Sequence, residues 1–292
     1  MSDFSDKLFV NFQKLLPQHL LSNIAFTISC SKNKYLKNFL IDSFIKYYKV
    51  DLSNAIKKSI DDYKSFHDFF IREIDLTERK IPVDSNQLAS PAEGTISQIS
   101  KINGNSIVQA KEHNYCLTTL LGGSISLAEK FQNGNFSTLY LAPSDYHRIH
   151  MPIDGTLKKM IFIPGKLFSV NKVTSESIPN LYANNERVVL IFDTEIGEIA
   201  LVLVGSMIVG SIYTDWAGTI KSDTGSISEW NYSEKNHKIN YKKGEEIAYF
   251  HLGSTVIILT QKNTNNWLPH LDANSKIKVR EPISEIIKRL DS

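Results

Sequence analysis

From Pro82 to about residue 262 the chain advances in short apolar or alternating runs, each soon broken by Gly, Asn or Pro. This punctuation constrains the fold more than any other feature. Gly94-Thr95-Ile96-Ser97, Ser106-Ile107-Val108, Thr138-Leu139-Tyr140-Leu141, Lys159 to Gly165, Val188 to Phe192 and Ile199 to Val204 are short and rich in β-branched and aromatic side chains. They predict a β-rich domain, barrel- or sandwich-like, with few short helices. The apolar stretch from Ile199 to Ile212 is interrupted by Gly205 and Gly210 and reads as two buried strands with close backbone approaches at the glycines. A helical piece is expected around Leu117–Phe131. The charged tail from Lys276 to Ser292 is expected to be peripheral, with a short helix at Pro282–Leu290.

Before Pro82 the period changes. Leu8, Phe12, Leu15 and Leu16 recur at helical spacing until Pro17 breaks the run. Leu20, Leu21, Ile24 and Ile28 make a second stripe, and Leu36, Phe39, Leu40 and Phe44 a third. Residues 51–75 also read as helical. The fold class is therefore α+β: an amphipathic helical region over residues 1–75, then a β-rich domain over residues 76–292. The length of 292 residues suits one large domain with an accessory segment.

Charge is informative through its placement. Residues 1–50 hold seven Lys and three Asp, which gives +4 of the chain's total of +2 and leaves −2 for the remainder. Lys32, Lys34, Lys37, Lys46 and Lys49 are available for the polar faces of the helices. Two readings follow. The helices pack on a core, or their apolar faces dip into lipid headgroups while lysines snorkel to phosphates. No uncharged apolar stretch reaches the roughly 18–20 residues that span a bilayer, so a membrane contact would be peripheral. The first dozen residues mix Asp, Lys and apolar side chains, unlike a secretory signal. Cys30 and Cys116 suggest no disulfide framework and fit a reducing compartment. There is no phosphate-binding glycine loop, dinucleotide fingerprint or aromatic-basic stripe for nucleic acid.

Three constellations carry chemical interest. Asp145-Tyr146-His147-Arg148-Ile149-His150-Met151-Pro152 is the densest polar cluster of the β region. It is a surface turn before Pro152, or a source of imidazoles for proton transfer; a metal site would need a third ligand. Ala89-Ser90-Pro91-Ala92-Glu93-Gly94-Thr95 is a turn opening a strand, with Glu93 at its tip. Glu93 is a solvated carboxylate, or an acid that orients a histidine. Asn171 and the run from Ile178 to Arg187 line a pocket or cap loops. Finally, Leu252-Gly253-Ser254-Thr255 precedes the apolar run Val256-Ile257-Ile258-Leu259. Alone it reads as a turn entering a strand. It also places a hydroxyl beside the carbonyl of a residue without Cβ, which that hydroxyl can attack.

Taken together, these segments resemble the phosphatidylserine decarboxylase family, the bacterial membrane-associated type. The resemblance rests on Phe69-Phe70-Ile71-Arg72, Pro91-Ala92-Glu93-Gly94, Lys111 to Tyr115, Asp145 to Pro152, Pro164 to Asn171, Asn184-Asn185-Glu186-Arg187, Val209 to Ile212, Trp216 to Ile220 and Leu252 to Thr255, in family order. It implies a proenzyme that cleaves itself between Gly253 and Ser254. His150, oriented by Glu93, would take the Ser254 proton; the alkoxide would attack Gly253 and convert the peptide to an ester. Elimination and hydrolysis would then leave a pyruvoyl group at position 254, with residues 1–253 as the large subunit. That group would form a Schiff base with the amine of phosphatidylserine and accept electrons as CO₂ leaves, giving phosphatidylethanolamine. His147 would hold the carboxylate and handle the returning proton. The resemblance further implies a heterodimer of the two subunits, a homodimer of these, and a peripheral place on the cytoplasmic side of the cell membrane. The family usually has Asp where this chain has Glu93. Competing readings are a pyruvoyl decarboxylase of a soluble amino acid, a non-enzymatic carrier-like β module, and a serine hydrolase, which would lack the Gly-x-Ser-x-Gly elbow.

Overall fold

The structure is a computed structural model. It describes residues 10, 12–13, 16–79, 81–82, 84, 86–110, 113–207, 211–220, 225–234, 238–251 and 254–287, with the backbone alone at Ser254. Its centre is an antiparallel nine-stranded sheet. Along the main path the order is Ser228–Asn231, Gly155–Ile163, Arg187–Thr194, Gly197–Val204, Ser254–Thr260, Asn135–Leu141, Gly94–Lys101 and Lys276–Ile277, and Asn240–Tyr241 also pairs with Gly155–Ile163. The run after Gly253 is thus an interior strand, paired with Val204 to Ile199 on one side and with Leu141 to Asn135 on the other.

Interior strands must be apolar on both faces. Val256 and Ile258 join one core with Leu139, Leu190 and Leu201, while Ile257 and Leu259 join a second with Val189, Val202 and Phe136. The first core is closed by a four-stranded sheet in the order Gly218–Ile220, Ile212–Thr214, Glu246–Phe250, Arg148–His150. The second is closed by helices that supply Leu117, Leu120, Leu127, Phe131 and Tyr182. The architecture is layered, α+β and sandwich-like. No sheet closes into a barrel among the described residues, because the large sheet ends in short edge strands.

Several expectations need correction. Residues 51–75 form only a 3₁₀ turn, Ile60–Asp62, and a short helix, Phe66–Phe70. Ser59 and Ser65 cap backbone amides where these elements begin, and Tyr63, with ψ 137°, is extended directly after the first. The Leu117–Phe131 piece is two helices, Leu117–Leu120 and Ile125–Phe131, separated at Gly122 and Gly123, whose φ values are +82° and +90°. Pro282–Ile286 is a strand, not a helix, and lies between Gln87–Ala89 and Asn265–Trp267; residues 288–290 lie outside the described residues. The tail is not peripheral throughout, since Val279 and Ile283 are buried. The stretch from Ile199 to Ile212 does end as two strands, but in different sheets. Asn171 caps the helix Lys172–Ser177 through the Thr174 amide at 3.1 Å.

The N-terminal helices Gln18–Ser29 and Lys34–Tyr48 have an unusual polarity. On the first, Gln18, Ser22 and Ser29 face inward, and Leu20, Ile24 and Ile28 face out, 57, 48 and 44% exposed. Gln18 accepts from the Leu167 amide at 2.7 Å, and Gln13 from the Ser169 amide at 2.9 Å. On the second helix Phe39 is exposed, whereas Phe44 packs edge-on against Phe66, Phe69 and Phe70. Lys37 does not lie on a solvated face. It is buried and donates to the carbonyls of Ile60 and Tyr63 at 3.0 and 2.8 Å.

Candidate active site

The chain leaves the four-stranded sheet at Phe250 and enters the nine-stranded sheet at Ser254. The step between them holds Leu252 and Gly253, which lie outside the described residues. Its two ends are fixed. The Phe250 amide donates to the His147 carbonyl at 3.1 Å, and Ser254 pairs in register with Leu141.

His150 ends the strand Arg148–His150, which pairs with Glu246–Phe250, and His147 immediately precedes it. This strand is also tied to the Pro91–Gly94 turn, because the His150 amide donates to the Pro91 carbonyl at 2.8 Å. Gly94 follows the turn as the first residue of its own strand; a Cβ there would lie 2.2 Å from the Tyr140 carbonyl oxygen, so only glycine fits. The structure therefore brings Glu93, His147, His150 and the start of the Ser254 strand into one region.

Both imidazoles are buried. His150 lies between two partners: Nδ1 is 2.9 Å from the Gly244 carbonyl and Nε2 is 2.9 Å from the Tyr146 hydroxyl. A carbonyl only accepts, so Nδ1 carries the proton and Nε2 accepts from Tyr146. Gly244 has φ +82°, and a Cβ there would lie 2.6 Å from Ile81 Cδ1. His147 Nδ1 faces the Asp145 carbonyl at 2.8 Å, so it donates and leaves Nε2 as a buried acceptor with no hydrogen-bond partner among the described residues. Burial pulls both groups below the usual histidine range, His147 to about 3 and His150 to about 4, so both are neutral at pH 7. A neutral, oriented imidazole can take a proton.

Glu93 does not bond directly to His150. Its carboxylate forms an ion pair with Arg79, and both His150 nitrogens are held by other groups. Arg280, then Arg148 and, least of the three, Arg79 lie close enough to His150 to disfavour its protonation, after burial itself. Arg79, Tyr146 and Gly244 were not singled out from sequence. Tyr146 stood inside the flagged cluster; Arg79 is 14 positions before Glu93, and nothing in its neighbourhood marks it.

A second histidine pair adjoins the step. His67 Nε2 is 2.6 Å from His251 Nδ1, and Phe26 sets its ring edge against both imidazoles at 5.5 and 5.1 Å. The N-terminal helices thus touch the chain two residues before Gly253. Arg148 adds another tie, donating to the Ile71 carbonyl at 2.9 Å and to both oxygens of Glu246 at 2.9 and 3.0 Å.

Comparison with known proteins places these features in one family. The family model described as phosphatidylserine decarboxylase matches residues 66–285, and a second, described as PSD, matches residues 8–49. The chain is 45% identical over 284 residues to a phosphatidylserine decarboxylase proenzyme of Idiomarina loihiensis, covering 97% of each chain. It is 43% identical over 283 residues to the protein of that name in Hahella chejuensis, covering 97% of this chain and 95% of the relative. For the Marinobacter nauticus protein of that name the figures are 44% over 282 residues, 96% and 98%.

Proposed function

Because the chain belongs to the phosphatidylserine decarboxylase family, we propose that it decarboxylates phosphatidylserine to phosphatidylethanolamine after cutting itself between Gly253 and Ser254. The observation that carries this reading is the placement of Ser254. It opens an interior strand, and the stretch bearing His147 and His150 is bonded to the segment just before it.

Self-cleavage uses the residues as follows. His150, neutral and with its Nδ1 proton fixed by Gly244, accepts the Ser254 hydroxyl proton at Nε2 once Tyr146 yields that nitrogen. The Ser254 oxygen attacks the Gly253 carbonyl, forming a C–O bond as the C–N bond breaks, and the proton passes to the departing nitrogen. Glu93 acts through Arg79, offsetting a guanidinium charge that would otherwise make His150 a poorer base. After elimination and hydrolysis, residue 254 remains tied into the sheet through Leu141 and the strand behind it.

The site suits a pyruvoyl group at position 254. The interior strand fixes the position, and Nε2 of buried His147, without a hydrogen-bond partner among the described residues, provides a polar atom in a dry surrounding. Such a group supplies an electron sink for loss of the α-carboxylate as CO₂. His147 Nε2, a bare acceptor, would take a proton from the substrate ammonium and return it to the α-carbon after CO₂ leaves. Exclusion of water favours loss of the charged carboxylate.

Access to a lipid is supported by the inverted helix Gln18–Ser29, whose apolar stripe Leu20, Ile24 and Ile28 faces out while its polar side chains face in. No helix among the described residues is long and apolar enough to cross a membrane. The exposed stripe fits a peripheral attachment to the anionic cytoplasmic face, with basic residues near it. The family resemblance adds a homodimer of cleaved protomers. The test is a Ser254→Ala protein assayed for CO₂ release from phosphatidylserine. It should stay uncleaved and inactive, and activity in the uncleaved variant would overturn the reading.

A further inference from the structure

Two arginines are deeply buried near the core, and they are not alike. Arg187, 2% exposed, donates to four carbonyls: Nε to Leu120, Nη1 to Ala183 and Asn185, and Nη2 to Thr119, all at 2.7–2.8 Å. Its demand is met, and its role is to fasten loops. Arg72, 5% exposed, donates only through Nη2, to the carbonyls of Ser144 at 2.6 Å and Asp145 at 3.4 Å. Among the described residues its Nε and Nη1 are buried with no hydrogen-bond partner and no carboxylate lies within ion-pair distance; the Phe69 ring lies against the guanidinium, 5.6 Å to the centroid. Asp145 does not fill the gap, since its carboxylate is engaged by the Ala142 amide at 2.7 Å. A buried cation with idle donors is costly unless an anion completes it.

The position of Arg72 is specific. Its Nη2 and His147 Nδ1 converge on the same carbonyl, that of Asp145. Among the described residues each group also keeps nitrogens without a hydrogen-bond partner: Nε and Nη1 on Arg72, Nε2 on His147. We propose that Arg72 is a substrate-binding residue that holds the phosphodiester of the lipid headgroup while His147 attends the reacting carbons.

Of the two anions in phosphatidylserine, the chemistry selects the phosphodiester. The carboxylate loses its charge as CO₂ forms, so a guanidinium on it would stabilise the ground state more than the transition state. The phosphodiester keeps its charge throughout, and a contact with it is equally strong at every stage. It is also three bonds from the α-carbon, which suits neighbouring groups for the two functions. A guanidinium presents paired donors that match phosphate oxygens.

This inference rests on the lipid-decarboxylase reading, and the experiment separates the two. Cleaved wild-type and Arg72→Gln enzymes are assayed in detergent micelles with phosphatidylserine, and with phosphatidylethanolamine as inhibitor. The product lipid retains the phosphodiester and lacks the carboxylate. Arg72→Gln should raise KM at least tenfold, weaken inhibition by phosphatidylethanolamine by a similar factor, and leave kcat within about threefold. Unchanged inhibition by phosphatidylethanolamine would overturn the assignment, whether or not KM rises. Inorganic phosphate is the second probe, and inhibition of the wild type by phosphate but not by phosphatidylethanolamine would also overturn it. If Arg72→Gln fails to self-cleave, Arg72→Lys is read by the same comparison against wild type. Failure of the wild type to release CO₂ from phosphatidylserine would instead remove the parent reading.

Discussion

The amide of Phe250 donates to the carbonyl of His147 at 3.1 Å, so the segment that ends at Gly253 is bonded to the backbone of a site histidine. Four residues after Phe250 the chain is locked into a different sheet by the Ser254–Leu141 pairing. The bond between Gly253 and Ser254 thus lies in a short step with both ends held. That arrangement suits an intramolecular attack, because the backbone on either side of the bond is already held.

Substitution of the two histidines should separate the two reactions. His150→Ala should leave a single uncleaved chain. His147→Ala should cleave and then decarboxylate at least a hundredfold more slowly, in the range that loss of a proton-transfer group produces. Gel analysis and CO₂ release report the two steps. An uncleaved His147→Ala protein would contradict this division of labour.

Tyr146 donates to His150 Nε2, the nitrogen proposed to accept the Ser254 proton. Tyr146→Phe frees that nitrogen without changing the ring packing. Precursor cleavage followed over time should be no slower than in the wild type. A block would place Tyr146 in the proton path instead.

The ion pair between Glu93 and Arg79 gives a further test. Glu93→Gln leaves the guanidinium uncompensated near His150 and should slow cleavage about tenfold or more. The double variant Glu93→Gln/Arg79→Gln removes the charge as well and should recover part of the rate. A double variant slower than Glu93→Gln alone would show that the carboxylate acts directly on the imidazole.

Acid should weaken the fold through these same histidines. In the unfolded chain each titrates near 6.5, whereas burial holds His147 at about 3 and His150 at about 4. Below pH ~6.5 the unfolded state takes up protons that the folded state refuses, so stability is full above that pH and declines as pH falls towards 4. The thermal midpoint of the Ser254→Ala precursor should therefore drop over that window, and His147→Gln should reduce the drop. A midpoint that rises on acidification would contradict the burial of neutral imidazoles.

Much of this molecule was legible in its sequence, and the limits have physical causes. The strand after Gly253 announced itself because a strand buried on both faces needs an unbroken apolar run, as Val256 to Leu259 provides. The cluster from Asp145 to Pro152 was dense enough to find. Pro282–Ile286 misled because its backbone bonds come from Gln87–Ala89 and Asn265–Trp267, which no local pattern announces. Arg79 was opaque for a related reason, since a lone arginine acquires meaning only from what folding places beside it; Arg72 stood in the flagged run Phe69-Phe70-Ile71-Arg72, but its surroundings were not legible there. The outward face of Gln18–Ser29 was also hidden, because periodicity reveals an apolar stripe but not the direction in which it points.

The central claim is the breaking and chemical conversion of one bond, and intact mass under denaturing conditions measures it most directly. Active protein should give two chains, a large one of residues 1–253 and a small one beginning at position 254 without an N-terminal amine. A single intact chain of 33.1 kDa from fully active protein would contradict the account.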